Sequence, residues 1–174
     1  MQKIWIIGAT GSGKTTLGKQ LAQKLNNQAV DLDELNWLPN WQCVSTEELV
    51  KAVEGVTEAE QWVISGNYSQ TQKYMIRADT IIWLDYSFSL VLRQLLKRTF
   101  RRIFKGELCC NGNRESLKMT LSRESIILWL FRTYRKRKRI GEATMINPSL
   151  AHLQMHHFKS PRQTANWLQS LQSE

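Results

Sequence analysis

Cysteine is scarce: Cys43, Cys109 and Cys110 are all that 174 residues contain. Three make no disulfide framework, and the adjacent pair lacks the paired spacing of a zinc site, so reduced thiols are expected. Long apolar runs are missing as well. Beyond the N-terminus the longest is Ile126 to Phe131, far short of the ~18 residues that a membrane-spanning helix requires. The run Ile4-Trp5-Ile6-Ile7 is too short for a secretion signal, and the expectation is a cytoplasmic protein with no membrane span. Repeats and low-complexity linkers are absent, and the three histidines, His152, His156 and His157, read as structural or solvated groups. Acidic residues are outnumbered 15 to 24, giving a net charge of +9. The imbalance is local. Residues 93–139 carry 15 Lys and Arg against 3 Glu, a net of +12, which leaves −3 for the rest. Such a field attracts polyanions, whether nucleic acid, an anionic membrane surface or the phosphates of a nucleotide.

What the chain does have is one domain's worth of alternating strands and helices. With 42% hydrophobic residues, positions 1–174 suffice for a single core. The apolar strand Lys3 to Ile7 runs into Gly8-Ala9-Thr10-Gly11-Ser12-Gly13-Lys14-Thr15, and Leu17, Leu21 and Leu25 then mark a helix. Two glycines flanking four residues and followed by Lys-Thr fit the phosphate-binding loop, or Walker A pattern, in the strand-before, helix-after context that its mechanism needs. Glycine permits the positive-φ backbone that turns several N–H groups toward one anion. Gly8, Gly11, Ser12, Gly13, Lys14, Thr15 and Thr16 are therefore expected to hold a nucleotide triphosphate, with Lys14 reaching its outer phosphates and Thr15 completing the shell of a magnesium ion.

A second strand near Ala29 to Leu32 delivers Asp31 and Asp33 to the C-terminal sheet edge, where ligands of open parallel sheets bind. Trp37 and Trp41 follow in an aromatic loop of no clear period. Ser45 and Glu48 form a capping box before a helix. A third strand, Trp62 to Ser65, ends in Gly66-Asn67-Tyr68, and a fourth, Thr80 to Leu84, ends at Asp85. Ser89 to Phe104 is an amphipathic helix with Arg93, Lys97, Arg101 and Lys105 along one side and Arg98 and Arg102 beside them. The Gly- and Asn-containing stretch Lys105 to Arg114 reads as a mobile loop. Glu115 to Arg139 is again helical in pattern and ends with six basic residues in the eight from Arg132. A last strand, about Gln154 to Phe158, precedes a helix opened by Ser160-Pro161. This alternation predicts an α/β fold with a parallel sheet covered on both faces.

These motifs resemble the P-loop nucleotide and small-molecule kinases of the adenylate kinase-like group. The likeness is most pronounced to the bacterial DNA-topology-modulation proteins, through Gly8 to Thr16, Asp31-Leu32-Asp33-Glu34-Leu35-Asn36-Trp37 with Trp41, Trp62 to Tyr68, and Ala78 to Asp85. The resemblance implies a three-layer P-loop NTPase fold, a five-stranded parallel sheet in the order 2-3-1-4-5, and a helical basic lid over about 93–139. It also implies ATP with Mg2+ as cofactors and transfer of the γ-phosphoryl group to a small acceptor. In related kinases an acidic residue often precedes the glycine of the third-strand motif. Ser65 stands here, so the magnesium partner is sought among Asp31, Asp33 and Asp85, with Asp31 and Asp85 the candidates for metal contact.

Phosphoryl transfer asks the protein chiefly to position two reactants and neutralise charge. Lys14, Asp33 and Arg98 are accordingly the candidate catalytic residues: Asp33 to engage the acceptor hydroxyl, Arg98 to close over the triphosphate with Arg93 and Arg102 in support. Trp37, Trp41, Asn67, Tyr68 and Arg77 are expected, with Asp33, to build the acceptor side. The rival expectation is a nucleotide-dependent nucleic-acid-binding or regulatory protein that uses the basic region 93–139 and has no acceptor. Oligomeric state is not legible.

Overall fold

The computed structural model describes residues 1–120, 122–123 and 125–171; Leu121 and Glu124, inside the expected lid, and 172–174 fall outside it. Five strands, β1 (Lys3–Gly8), β2 (Ala29–Asp31), β5 (Trp62–Ser65), β6 (Thr80–Leu84) and β7 (Gln154–Phe158), form one sheet in the order β2-β5-β1-β6-β7. Every neighbouring pair is parallel. In chain order of these five strands that is 2-3-1-4-5, as expected. Two further strands, β3 (Trp37–Leu38) and β4 (Gln42–Cys43), make a small antiparallel hairpin within the segment that the sequence marked only as an aromatic loop.

Period-2 alternation along β1 divides the core. Ile4 and Ile6 pack with Leu17 and Leu21 of α1 (Lys14–Lys24), while Trp5 and Ile7 pack with Leu32 of α2 (Leu32–Asn36) and with Leu49 and Val53 of α3 (Thr46–Glu58). Both faces are covered, which accounts for strands that are apolar nearly throughout. The Ser45–Glu48 capping box forms at the start of α3, with each side chain bonded to the other's backbone. A 3-10 segment, Ser69–Arg77, fills the predominantly polar stretch before β6.

The parallel register aligns the strand ends. Asp31 pairs with Ser65, Ser65 with Ile6, and Gly8 with Leu84. One sheet edge thus carries Asp31, the Gly8 loop, Asn67 and Asp85 together.

Helices α4 (Phe88–Lys105), α5 (Leu117–Thr120) and α6 (Ile126–Met145) span the region where a lid over about 93–139 is expected, and α7 (Pro161–Ser170) follows β7. The helix expected over 115–139 is thus two helices, and its positions 121 and 124 lie outside the described residues. Helix α6 begins against one core cluster, through Leu130 and Tyr134, and ends against the other through Met145. Gly141 makes this crossing possible: a Cβ there would lie 2.2 Å from Trp83 Cε2. The middle of α6 consequently passes the C-terminal sheet edge. Among the described residues, no helix is long and apolar enough to cross a membrane.

Candidate active site

The loop between β1 and α1 has the shape of an anion cradle. Gly13 is the N-cap of α1 in a left-handed conformation, φ 92° and ψ 16°, and supplies no side-chain cap. At Gly11, φ 85°, a Cβ would meet Leu95 Cβ at 3.0 Å and the Val91 carbonyl at 3.1 Å, so the loop lies directly against α4. Ser12 N–H donates to Ala9 O within the turn. The amides of Gly13, Lys14, Thr15 and Thr16 find no acceptor among the described residues. Four N–H groups at a helix start, with the dipole behind them, form a ready seat for phosphate oxygens. Ser12 Oγ is buried beside them with no partner.

Lys14 Nζ rests on the loop itself, donating to Gly8 O at 3.1 Å and Ala9 O at 3.0 Å. Burial lowers its pKa from 10.5 to about 8, against the pull of Asp33 and Asp31 and with the help of Arg137 and Arg98. An ammonium held this way gains from any polyanion that enters the loop.

Thr15 Oγ1 donates to Asp31 Oδ2 at 2.6 Å, and the other Asp31 oxygen accepts from Asp33 N–H at 3.0 Å. Burial raises the pKa of Asp31, with the neighbouring Asp33 charge adding to it and the Thr15 bond opposing it. Two hard oxygen donors side by side at the phosphate loop suit Mg2+, which takes few protein oxygens and completes its shell with water and phosphate. Thr15 and Asp31 thus fit the expected metal role.

Asp85 does not. Its carboxylate is engaged by His157 Nε2 at 3.0 Å and faces Lys138 Nζ at 3.8 Å. The cause is topological: β7 lies beside β6 and brings His157, whose ring stacks on Trp83 at 4.2 Å, next to the end of that strand. Asp85 is thus engaged within the fold, with His157 as its partner.

Asp33 stands at the start of α2 and accepts from Tyr68 Oη at 2.8 Å. Burial raises the Tyr68 pKa and the Asp33 charge raises it further, so the phenol stays a donor. Arg98 and Arg137 both feel the Asp33 charge, as does Lys14. Arg98 is half-buried, its Nε is buried with no partner, and burial followed by Arg102 lowers its pKa. Arg102 is already committed. It pairs with Glu115 at 2.6 Å, which ties α4 to the loop that follows it.

Arg137 is the residue that sequence reasoning missed. It lies where α6 passes the sheet edge and donates through Nη1 to Asn67 O; the rest of its guanidinium has no acceptor among the described residues. The signal was present, since Leu130, Tyr134, Arg137 and Gly141 fall at helical spacing on one inward stripe, with arginine among buried and half-buried neighbours. In a run of six basic residues it was submerged.

Two residues expected on the acceptor side are held by other parts of the chain. The Asn67 amide is buried and clamps the phosphate loop, donating to Gly8 O at 2.9 Å and accepting from Gly8 N–H at 3.2 Å. Arg77 lies where the 3-10 segment leads into β6, at the opposite sheet edge, bonded to Thr57 Oγ1 at 2.9 Å and 3.8 Å from Glu54. There it holds the last turn of α3, a favourable place for a cation. Trp37 and Trp41 meet edge to face at 5.6 Å in the hairpin that follows α2, on the Asp33 side of the sheet.

A shikimate kinase family model matches residues 10–38, the phosphate loop through the Asp31-Leu32-Asp33 segment. Shikimate kinase from Sulfurihydrogenibium sp. is 28% identical over 123 residues, 60% of this chain and 73% of that protein. Among solved structures, shikimate kinase from Bacteroides thetaiotaomicron superposes with a TM-score of 0.59 at 20% identity, covering 97% of this chain and 95% of that one. A gluconokinase from Sinorhizobium meliloti gives 0.52 at 14% identity, covering 97% and 87%. At such identities the structural likeness speaks for the fold, and the matching sequence speaks for the chemistry at its start. Loop, sheet order and relatives together make this chain an ATP-dependent P-loop kinase of the adenylate kinase-like fold, acting on a small molecule.

Proposed function

We propose that the acceptor is a small polyhydroxylated carboxylic acid, of the kind that shikimate and gluconate exemplify, and that the reaction takes place over Asp33. The observation that carries this is the convergence on Asp33 of one phenol and three cations: Tyr68 by a hydrogen bond, and Lys14, Arg98 and Arg137 by charge. A carboxylate so placed can accept a hydrogen bond from one hydroxyl, while Arg137 has guanidinium N–H groups to spare for a carboxylate on the same molecule.

The loop amides and Lys14 would hold the triphosphate, and Thr15 and Asp31 would hold Mg2+, which would neutralise phosphate charge. Asp33 orients the acceptor hydroxyl and takes its proton as the oxygen bonds to the γ-phosphorus and the bond to the β,γ-bridging oxygen breaks. Tyr68 fixes the carboxylate. Arg98 supplies positive charge where negative charge grows on the moving phosphoryl group. Trp37 and Trp41 form a wall of the acceptor seat, and the enzyme works in the cytosol.

The finer resemblance, to the DNA-topology-modulation proteins, is carried here as a proposal that rests on the motifs at 31–37, 62–68 and 78–85. A nucleic-acid surface over 93–139 has less support. Arg137 bonds Asn67 O, Lys138 faces Asp85, and Arg101 and Arg102 are paired with Glu107 and Glu115. The test is ADP release with ATP and Mg2+ across a panel of shikimate, gluconate, nucleosides, nucleoside monophosphates and duplex DNA. Stimulation by a hydroxy acid is expected; stimulation by DNA alone, or by nucleotides alone, would overturn the reading.

A further inference from the structure

The loop after α4, expected to be mobile, is tied to the aromatic hairpin across more than seventy residues of sequence. Asn113 Oδ1 accepts from Trp41 N–H at 2.8 Å, and its Nδ2 donates to Leu38 O at 2.9 Å and Cys110 O at 2.6 Å. That side chain is 4% exposed and has no hydrogen-bonding capacity left idle on its donor side. Asn111 Nδ2 donates to Trp37 O at 2.7 Å and Glu34 O at 2.8 Å, and Trp41 Nε1 donates to Arg114 O at 3.2 Å.

The hairpin depends on these bonds. Asn40 and Trp41 have φ of 61° and 58°, left-handed conformations that a tryptophan adopts only when its surroundings enforce them. The loop is fastened in turn to the helix behind it, since Glu115 pairs with Arg102 and Glu107 with Arg101. Arg98 stands one turn before Arg102 on α4, its Nε buried with no partner, and feels the Asp33 charge.

We propose that Asn113, seconded by Asn111, is a latch that makes the lid loop and the Trp37–Cys43 hairpin one moving body, so that nucleotide under the lid and acceptor against the hairpin are sensed together. Asn113 is a positioning residue, since it touches only main chain. This inference rests on the kinase reading for what the hairpin faces. Its physical content is that a pull on α4 through Arg98 reaches the acceptor wall by way of Arg102, Glu115 and Asn113. Backbone-directed amides suit the task because they fix geometry whatever side chains line the wall.

The experiment is hydrogen exchange on the full chain, with and without the non-hydrolysable analogue AMP-PNP and Mg2+, followed in three segments: 8–16, 34–43 and 107–115. In the wild type all three should gain protection together. Asn113→Ala should keep the gain at 8–16 and lose it at 34–43, where exchange of the nucleotide-bound protein becomes about tenfold faster or more. A residue that merely stabilised the hairpin would speed exchange equally with and without nucleotide. Asn111→Gly, at an exposed position of φ 57° that glycine adopts freely, provides a second variant that folds and should reduce the coupling about fivefold. Protection at 8–16 and 107–115 with none at 34–43 in the wild type would refute the latch and leave the kinase reading intact. So would an undiminished hairpin response in both variants. No protection at 8–16 would instead refute the nucleotide site itself.

Discussion

Lys14 offers a direct test of the phosphate loop. Burial displaces its pKa from 10.5 to about 8, which corresponds to about 3 kcal/mol set against the ammonium form in the absence of ligand. The sign follows from linkage. Below pH 8 folded and unfolded chains both carry the proton and the cost is borne in full; between about 8 and 10.5 the unfolded chain keeps the proton that the folded chain has lost, so the penalty fades as pH rises. A triphosphate reverses the preference by placing negative charge against Nζ. Binding must then draw a proton from solvent, roughly half a proton at pH ~8 and about nine-tenths at pH ~9, where ATP itself no longer titrates. Isothermal calorimetry in two buffers of different ionisation heat reads this number as the slope of apparent enthalpy against buffer heat. Lys14→Met should bind ATP at least about a hundredfold more weakly, and any residual binding should show no such slope. A slope of zero in the wild type, or the same slope in Lys14→Met, would refute the assignment of the buried ammonium to the phosphates.

Three further outcomes follow from where the structure places other residues. Asn67→Ala removes two buried hydrogen bonds to Gly8 and orphans its N–H; about 2–4 kcal/mol of stability should go, read as a lower urea midpoint, with weaker ATP binding because the loop loses its clamp. Arg77→Ala should cost about 1 kcal/mol or less and leave kcat and KM for both substrates unchanged, since Arg77 serves α3 and not the site; a selective rise in acceptor KM would reinstate the original expectation. Gly141→Ala drives a methyl group into the Trp83 indole and should destabilise by several kcal/mol, displacing Arg137 along with α6, so thermal denaturation and acceptor KM should both worsen.

The strands and the phosphate loop were legible because each is written in a short contiguous stretch whose geometry is local; the sheet order came through the resemblance that those motifs carry. What failed was long-range. Asp85 looks like a free carboxylate at a strand end until β7 arrives beside it with His157. Arg77 sits near Asn67 and Tyr68 in sequence, yet the 3-10 segment carries it to the far edge of the sheet. The Gly- and Asn-containing stretch at 105–114 has the composition of a mobile loop, and its hydrogen-bond partners lie over seventy residues away. Arg137 is the instructive case: charge counting treated the run from Arg132 as a uniform patch, whereas helical spacing with Leu130, Tyr134 and Gly141 singles out one arginine that must face inward.

The central claim is that Asp33 engages the acceptor hydroxyl beside a triphosphate held by the Gly8–Thr16 loop, and single-turnover transfer from γ-labelled ATP in Asp33→Asn measures it most directly. The transfer rate should fall by about 10²–10⁴ with the dissociation constant for ATP and Mg2+ unchanged. Transfer at the wild-type rate would contradict it.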